Sequence, residues 1–382
     1  MKAPEYNIFI IGAGFSHPAG IPLATDLWKC ILQKSKEKLK RNNVEYSLYE
    51  NILKPDIDSF IAYYNGSKNG QHIKYENDIE LESFISYLDI EAYLGLLGSK
   101  HWSAAGNQSQ ILIRNYIAKI IYEKQSRMTS SDKLLYDKFV SLLRPKDLIL
   151  TFNYDTILEE ALERNNIPFA FYWEKLKKNK DGEIILDIKN EDVILLKMHG
   201  SIDWISDKHF VSASSLAIWN REKKIFNPKC IIKGYTRKNN ELRCIYRISR
   251  LSEYLSMNEP VVESPFIMSP SFNKIVYLNP LKEFWHGFIG NGQWSERLIF
   301  IGFSLPEHDE YIRQPLYYLV KNFESSAKED NRRISIVDYK ISSRDQNKFK
   351  ANYRFLNEEI TDFYFEGFSE AILNLIFKDV KK

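Results

Sequence analysis

The sequence has few cysteines, no long apolar run and almost no excess of charge of one sign. Its 382 residues include only Cys30, Cys230 and Cys244, and no two of them are spaced as Cys-x-x-Cys. A structural zinc ribbon needs such pairs, so we expect no zinc or other metal site and a reducing, cytoplasmic location. No apolar segment approaches the ~20 residues that cross a membrane, and we expect no membrane partner.

The charge and composition exclude little else. A net charge of +3, from 53 basic and 50 acidic residues, does not indicate a nucleic-acid-binding protein as a whole. A basic segment between Lys229 and Arg250 is more typical of a solvated face, although a local contact stays open. With 44% hydrophobic and 27% charged residues, the composition is that of an ordinary globular protein with a substantial core.

The first residues form a strand-turn-helix pattern. An apolar run, Asn7 to Ile11, leads into Gly12, Gly14 and Ser16. Two glycines one residue apart allow a tight turn and a close approach to a pyrophosphate at the following helix. His17 stands where a dehydrogenase fingerprint has its third glycine, and the segment 34–41 is basic where that fingerprint is acidic. The turn therefore favours a nucleotide-binding site with a function other than hydride transfer. A glycine-rich connection that binds no ligand stays open as the alternative.

Further apolar runs predict a parallel sheet. Strands are predicted at 148–151, 193–197, 298–301 and 334–337, and helices begin near Thr156, Pro306 and Gly367. Apolar residues from Ile113 to Ile121 have helical spacing. We predict an α/β fold, a doubly wound Rossmann-like parallel sheet formed by 1–30 and 146–382. Residues 31–145 are predicted as a helical insertion and 205–295 as an irregular insertion.

Polar residues follow three of the predicted strands, where a doubly wound sheet binds its ligands. They are Asn153 and Asp155, His199 beside Gly200, and Gly302 with Ser304. Each has a structural alternative: an Asx turn for the first pair, a hydrogen-bonded core histidine for the second and a helix start for the third. Their occurrence together at three strand ends, with the glycine turn, favours a functional site.

In order and position these motifs resemble those of the sirtuin-like superfamily. Asn153-x-Asp155 is similar to its catalytic Asn-x-Asp and His199-Gly200 to its catalytic His-Gly. The turn of Gly12, Ala13, Gly14 and Ser16 is similar to its phosphate turn, and Gly302-x-Ser304 to its later nucleotide loop. The resemblance covers about 1–30 and 146–340. It implies a site on NAD+ in which Asn153, Asp155 and His199 are catalytic.

Two features of the classical deacylases are missing, so the resemblance points to another branch of the superfamily. Classical deacylases have a four-cysteine zinc module and an Asp-Phe-Arg sequence after the glycine turn, and both are missing from this sequence. The continuation from Leu305 to Asp309 resembles the bacterial anti-phage branch, whose members hydrolyse NAD+. The resemblance implies an NAD+ glycohydrolase that depletes the cofactor in abortive infection.

Residue roles follow from the same resemblance. Asn153 is expected to bind the ribose and position a water, and His199 to accept a proton. Asp155 is expected to hold the nicotinamide carboxamide or to orient its neighbours. Contacts with the nucleotide are expected from Gly12, Ala13, Gly14, Ser16, Gly302 and Ser304. Asp338 is expected to lie near the adenosine, and this expectation rests only on its position at a strand end.

An NAD+ hydrolase must be silent in healthy cells, so we expect control by assembly. The branch suggests a homo-oligomer and a partner resembling a HerA-type hexameric ATPase, with DNA contact through that complex. A separate partner is also expected because no sensor or nuclease domain is recognisable. The alternatives are a module that senses NAD+ or ADP-ribose without catalysis, and a sirtuin-type ADP-ribosyltransferase or deacylase.

Overall fold

The computed structural model describes the greater part of the chain. The described residues are 6–36, 48–67, 72–94, 96, 102–103, 106–171, 176–178, 180, 184–186, 189, 191–206, 245–256, 264–273, 285, 288–307, 309–327 and 332–377. The chain divides into two compact units. The first comprises Met1–Ile21, Lys124–Gly200 and Pro280–Lys382, and the second comprises Pro22–Glu123 and Ser201–Asn279.

The regular elements alternate between strand and helix over much of the chain. The strands are β1 (Tyr6–Ile11), β2 (Trp102–Ser103), β3 (Gly106–Asn107), β4 (Leu148–Thr151), β5 (Phe169–Phe171), β6 (Leu176–Lys178), β7 (Ile184–Leu186), β8 (Val193–Lys197), β9 (Trp204–Ser206), β10 (Ile245–Arg247), β11 (Ser295–Ile301), β12 (Arg333–Val337) and β13 (Thr361–Tyr364). The α-helices are α1 (Ala13–Ser16), α2 (Ala24–Lys36), α3 (Lys54–Ser67), α4 (Leu81–Leu94), α5 (Gln108–Gln125), α6 (Ser130–Ser141), α7 (Ile157–Arg164), α8 (Leu251–Ser256), α9 (Glu310–Ala327), α10 (Ser343–Asn352) and α11 (Glu370–Ile376). Short 3-10 segments lie at His17–Ala19, Glu76–Asp78, Phe288–Trp294 and Glu358–Ile360, and a π-helical segment at Tyr49–Leu53.

A seven-stranded sheet organises the first unit. Its strand order is β13-β12-β11-β1-β4-β8-β5, and all neighbouring strands run parallel. β1 lies between β11 and β4, so later strands of the chain flank it on both sides, and β5 forms the edge beyond β8. The buried apolar side chains of β1, β4 and β11 explain this position, because a strand buried on both faces reads as a continuous apolar run.

The prediction of a doubly wound parallel α/β sheet is therefore confirmed. Each of the five predicted strands is present, and helices begin near the three predicted starts, at Ile157, Glu310 and Glu370. The two edge strands, β5 and β13, were not predicted. β13 is four residues long and mixes polar with half-buried aromatic residues, so it lacks the apolar run that marks the central strands, whereas β5 is an apolar run of only three residues, Phe-Ala-Phe.

Aromatic side chains pack between β1 and the helices of the first unit. The Phe15 ring lies 5.2 Å from Phe139 and 4.5 Å from Phe368, between ring centroids. Phe9 of β1 packs edge-on against Phe139 at 5.5 Å. The hydroxyl of Tyr136 donates to the backbone oxygen of Phe15 at 3.1 Å. The glycine turn that follows β1 is thus held in place by the aromatic cluster that packs around Phe15.

A buried carboxylate joins β1 to β4 at the amino ends of the strands. Asp147, fully buried, accepts hydrogen bonds from the backbone nitrogens of Asn7 (2.7 Å) and Arg144 (2.9 Å) and from the Asn7 side chain (3.3 Å). Burial raises the pKa of this carboxyl, and these hydrogen bonds act in the opposite direction. The contact aligns the two strands at the edge opposite to their polar loops.

The second unit is mainly helical. Trp28 of α2 and Phe60 of α3 both pack on Phe84 of α4, with ring centroids 5.4 and 5.3 Å apart. Arg114 of α5 donates to Ser264 at 3.0 Å and to Ser269 at 3.1 Å, which joins the helix to the segment 264–273. β9 and β10 form an antiparallel pair in the same unit.

The domain boundaries proposed from the sequence stay a prediction. Described residues between 31 and 145 are largely helical. Most of the predicted insertion at 205–295, and most of the basic segment from Lys229, lie outside the described residues. Among the helices of the described ranges, none is long and apolar enough to cross a membrane.

Candidate functional site

The polar loops of the first unit lie at one edge of the sheet. In the strand register, Ile11 at the end of β1 pairs with Thr151 of β4 and with Ile301 of β11. Lys197 of β8 pairs with Thr151, and Val337 of β12 with Ile301. Because these strands are parallel and end at the same level, the loops that follow β1, β4, β8, β11 and β12 all begin at the carboxyl edge of the sheet.

The glycine turn packs directly on the loop after β11. The backbone nitrogens of Gly12 and Gly14 donate to the oxygens of Ile301 (3.0 Å) and Gly302 (2.9 Å). A Cβ placed on Gly12 would lie 2.5 Å from the Gly302 oxygen, and one on Gly14 would lie 2.6 Å from the Gly302 Cα. These approaches explain why both positions are glycine. The predicted role in binding a pyrophosphate stays a prediction, because packing between the loops by itself requires these glycines.

One amide of the turn is left for another partner. The nitrogen of Phe15 donates to the Gly12 oxygen at 3.0 Å, so the amides of residues 12, 14 and 15 are all bonded within the unit. The amide of Ala13 has no hydrogen bond to any residue that the structure describes. The turn therefore retains a single donor, Ala13 N–H, between residues 12 and 15.

Asn153 joins the loop after β4 to this turn. Its Nδ2 donates to the Gly12 oxygen and to the Ser16 hydroxyl, both at 2.9 Å. Its own backbone nitrogen donates to Thr151 Oγ1 at 3.1 Å. Within the described part of the chain nothing donates to Oδ1 of this half-buried side chain. The carboxamide is thus held at its nitrogen and keeps an acceptor at its oxygen.

Asp155 is 5% exposed, and its Oδ1 accepts a hydrogen bond from the Ile157 nitrogen at 3.2 Å. This contact begins helix α7, as the Asx-turn alternative from the sequence anticipates. A contact with the nicotinamide carboxamide stays a prediction.

His199 lies among aromatic rings. Its ring centroid is 5.1 Å from that of Phe152 and 6.0 Å from that of Tyr154. Phe152 in turn stacks on Phe303 at 4.6 Å, which connects the loops after β4 and β11. His199 is buried, and its Nε2 is hydrogen-bonded to the hydroxyl of Tyr311.

Sequence reasoning did not single out Tyr311. It belongs to α9, seven residues after Ser304, and its partner His199 is more than 100 residues away in the chain. A tyrosine in the first turn of a helix carries no pattern that indicates such a contact. The hydrogen bond between His199 and Tyr311 forms only because the end of β8 and the start of α9 lie next to each other in the folded chain.

The loop from Ser304 to Asp309 is held in an uncommon backbone conformation. Leu305 is buried and has φ of 47°, in the left-handed region that non-glycine residues seldom occupy. Its oxygen accepts from Arg313 at 2.9 Å, and the oxygen of Ser304 accepts from Asn352 at 2.9 Å. Ser304 is itself exposed at the site edge. His308, part of the motif that the sequence analysis used, lies outside the described residues.

Asp338 follows β12, as predicted, and its carboxylate is already paired. Its Oδ1 lies 3.0 Å from Lys340 Nζ and accepts from the Tyr339 nitrogen at 2.6 Å. A contact between Asp338 and adenosine stays a prediction. No group of three His, Cys, Asp or Glu side chains in the described ranges is arranged to hold a metal ion.

Several solved sirtuin structures are similar to the chain at low identity. One, on the structural basis of sirtuin substrate affinity, is 9% identical, with a TM-score of 0.28 and coverage of 98% of this chain and 93% of that one. Sir2Tm bound to a propionylated peptide is 10% identical, with a TM-score of 0.28 and coverage of 98% and 93%. Sir2 in complex with the inhibitor EX-527, 2'-O-acetyl-ADP-ribose and a deacetylated p53-peptide is 9% identical, with a TM-score of 0.32 and coverage of 98% and 94%.

Similarities of this size add nothing to the sheet topology already described. No curated protein matches the sequence. A family model, by contrast, matches within the site: residues 147–250 fit the one described as SIR2-like domain. That segment contains Asn153, Asp155 and His199. Over residues 147–250, the chain is therefore similar to the SIR2-like domain family.

Proposed function

We propose that the protein is an NAD+ glycohydrolase, which cleaves NAD+ to nicotinamide and ADP-ribose. The observation that carries the proposal is the position of Asn153. Its carboxamide is bound to Gly12 and Ser16 of the glycine turn, at the same sheet edge as His199. The match of residues 147–250 to the SIR2-like domain family supports a reaction on NAD+ at these side chains.

The proposed reaction is hydrolysis of the bond between nicotinamide and the ribose C1'. The bond breaks with its electron pair moving to the positively charged nicotinamide nitrogen, so nicotinamide leaves neutral and positive charge develops on the ribose. A water then bonds to C1' and loses a proton. In this scheme the Oδ1 of Asn153 binds the ribose hydroxyl or the water, and His199 accepts the proton.

Binding of the pyrophosphate is assigned to the turn between β1 and α1. Ala13 N–H and the Ser16 hydroxyl are the donors proposed for it, and Gly12 and Gly14 keep the backbone close to Gly302. We propose nucleotide contacts for Gly302, Ser304 and Asp338 as well. For Asp338, binding of an adenosine hydroxyl requires that the ligand replace or share the ion pair with Lys340.

The cellular setting is part of the same proposal. Depletion of NAD+ is harmful to the cell, so we propose an anti-phage effector in the cytoplasm that is activated by assembly. The proposed assembly is a homo-oligomer with a HerA-type hexameric ATPase, which brings DNA contact through the complex. Co-purification with such an ATPase, and a faster NAD+ cleavage in its presence, is the expected result. A monomer whose cleavage rate does not respond to the ATPase contradicts this part.

The first experiment measures nicotinamide and ADP-ribose released from NAD+ by the protein, with and without the ATPase. Asn153→Ala is expected to lower kcat about 100-fold or more, because a stabilising group at the ribose is removed. His199→Ala is expected to lower it by about 100- to 10,000-fold. Asn165→Ala and His72→Ala, which change exposed residues of the same types, serve as matched controls and are expected to keep wild-type rates.

The outcome separates the proposal from its alternatives. The glycohydrolase is supported if the wild type and the two control variants release equal amounts of nicotinamide and ADP-ribose and the two site variants release neither. Binding of NAD+ or ADP-ribose without cleavage under every condition, and surviving both substitutions, supports the sensing module. Release of nicotinamide with ADP-ribose attached to protein indicates a transferase.

A further inference from the structure

A buried lysine lies next to the proposed catalytic residues. Lys197 is the last residue of β8, two positions before His199, and its side chain is 1% exposed. Its Nζ donates to the backbone oxygen of Asp155 at 2.5 Å and lies 2.6 Å from Glu159 Oε1, whose side chain is 2% exposed. One ammonium therefore contacts both the loop after β4 and the first half of α7.

Fold stability gives only a weak reason for this pair. The other four residues of β8 are Val, Ile, Leu and Leu, and the strand is nearly completely buried. Removing a lysine and a glutamate from water has a large desolvation cost, and apolar replacements of a buried ion pair are often as stable or more so. The pair is therefore better explained by what the ammonium holds in place.

The ammonium holds a backbone oxygen within an irregular segment. Residues 152–156 belong to no strand or helix, and backbone hydrogen bonds hold only the two ends of the segment, from Phe152 N to Ile11 O and from Glu160 N to Thr156 O, both at 2.9 Å. The conformation between these ends depends on other contacts. Asn153 is attached to the glycine turn at one end of this segment, and the contact of Lys197 with the Asp155 oxygen secures it two residues later. Glu159 balances the charge of the ammonium at the start of the helix.

We propose that Lys197 is a positioning residue of the site and that Glu159 is its partner. Through the Asp155 oxygen, Lys197 fixes the loop that carries Asn153 relative to the end of β8, from which His199 follows. The proposal rests on the proposed function, since a fixed spacing between a ribose-binding amide and a base matters for cleavage. It assigns to Lys197 no contact with NAD+.

The test replaces the pair and compares kcat with KM. In Lys197→Met/Glu159→Met both charges are removed together, so no uncompensated charge stays buried. We expect kcat for NAD+ cleavage to fall at least about 10-fold while KM changes less than about 3-fold, because the groups that bind NAD+ remain. Wild-type values of both constants in this variant overturn the proposal.

A control and a second variant separate positioning from general loss of structure. Arg164→Met/Asp137→Asn removes a half-exposed ion pair on the other end of α7, 2.7 Å between Arg164 Nη2 and Asp137 Oδ1. This control is expected to keep kcat and KM. Lys197→Arg keeps a positively charged donor for the Asp155 oxygen and for Glu159, so its kcat is expected to lie closer to wild type than that of the double variant. A loss in Lys197→Arg as large as in the double variant overturns the proposal, even where the double variant does not fold.

A spectroscopic readout keeps the inference testable apart from activity. Protein labelled with 15N-asparagine gives a side-chain amide signal for Asn153, assigned by its disappearance in Asn153→Ala. We expect this signal to shift in Lys197→Met/Glu159→Met and to stay in place in Arg164→Met/Asp137→Asn. An unchanged Asn153 signal in the first variant refutes the positioning role. Failure of the wild-type protein to cleave NAD+ contradicts the proposed function and leaves this comparison valid.

Discussion

Gly302 is the position where a single methyl group is expected to disturb the site most. Its φ is +61°, and a Cβ added there would lie 2.4 Å from the Cα and the carbonyl carbon of Gly14. Both neighbours are backbone atoms, held by the hydrogen bond from Gly14 N to Gly302 O at 2.9 Å. Gly302→Ala therefore forces the two loops apart instead of moving a flexible side chain.

The magnitude follows from two contributions. A left-handed backbone conformation costs an alanine about 1–2 kcal/mol relative to glycine, and displacing packed neighbours typically costs about 1–3 kcal/mol. We expect Gly302→Ala to lower the free energy of unfolding by about 2–5 kcal/mol. Gly20 is the matched control, because its φ is +77° and a Cβ there meets nothing within 4 Å. Gly20→Ala is expected to lose only the first contribution.

The assay is urea denaturation of the three proteins, with hydrogen exchange of peptides that cover β1 and β11. Gly302→Ala is expected to unfold at a lower urea concentration than Gly20→Ala and to exchange faster at residues 12–16 and 302–305. Equal stability of the two variants refutes the reasoning, because it means that the loops do not meet as closely as the distances indicate.

Two further predictions concern a hydroxyl and a buried carboxyl. Tyr311→Phe removes the hydroxyl bound to His199, and kcat for NAD+ cleavage is expected to fall roughly 2- to 12-fold because one hydrogen bond to the proposed base is lost. Tyr317→Phe, which changes an exposed tyrosine of the same helix, is the control. An unchanged kcat in Tyr311→Phe means that this hydrogen bond does not assist His199. Burial and the nearby Glu91 carboxylate raise the pKa of Asp56 from 3.8 to about 6. The native state therefore binds this proton more tightly than the unfolded state. The stability of the wild type relative to Asp56→Asn should fall by about 3 kcal/mol as the pH rises from well below 3.8 to above 6. Urea denaturation across this range tests it, and a pH-independent difference is the contrary result.

The central sheet was predictable because burial on both faces leaves a mark in the sequence. Ile8 to Ile11, Leu148 to Leu150 and Leu298 to Ile301 are uninterrupted apolar runs, and each is a central strand. The edge strand β13 is short and mixes polar with half-buried aromatic residues, so little in its sequence distinguishes it from a loop and the neighbouring strand decides its conformation. The other edge strand, β5, is apolar but only three residues long.

The motifs at the strand ends were also predictable as positions. In a parallel sheet, residues that follow different strands meet at one edge, so Asn153, His199 and Gly302 are placed near each other by topology. Their detailed contacts were not predictable. The amide of Asn153 bound to Gly12 and Ser16, and the hydroxyl of Tyr311 at His199, join residues more than 100 positions apart.

The sequence by itself thus determined the parallel sheet, its central strands and the edge at which the polar motifs collect, because these depend on apolar periodicity and strand direction. Only the tertiary structure decided why Gly12 and Gly14 must be glycines, and that reason is the backbone of Gly302 pressed against them. It also decided the partners of Lys197, the Asp155 oxygen and the Glu159 carboxylate, whereas in the sequence this lysine is one charge at the end of an apolar strand. A buried charge obtains its partners from distant segments, and its role depends on where those segments fold.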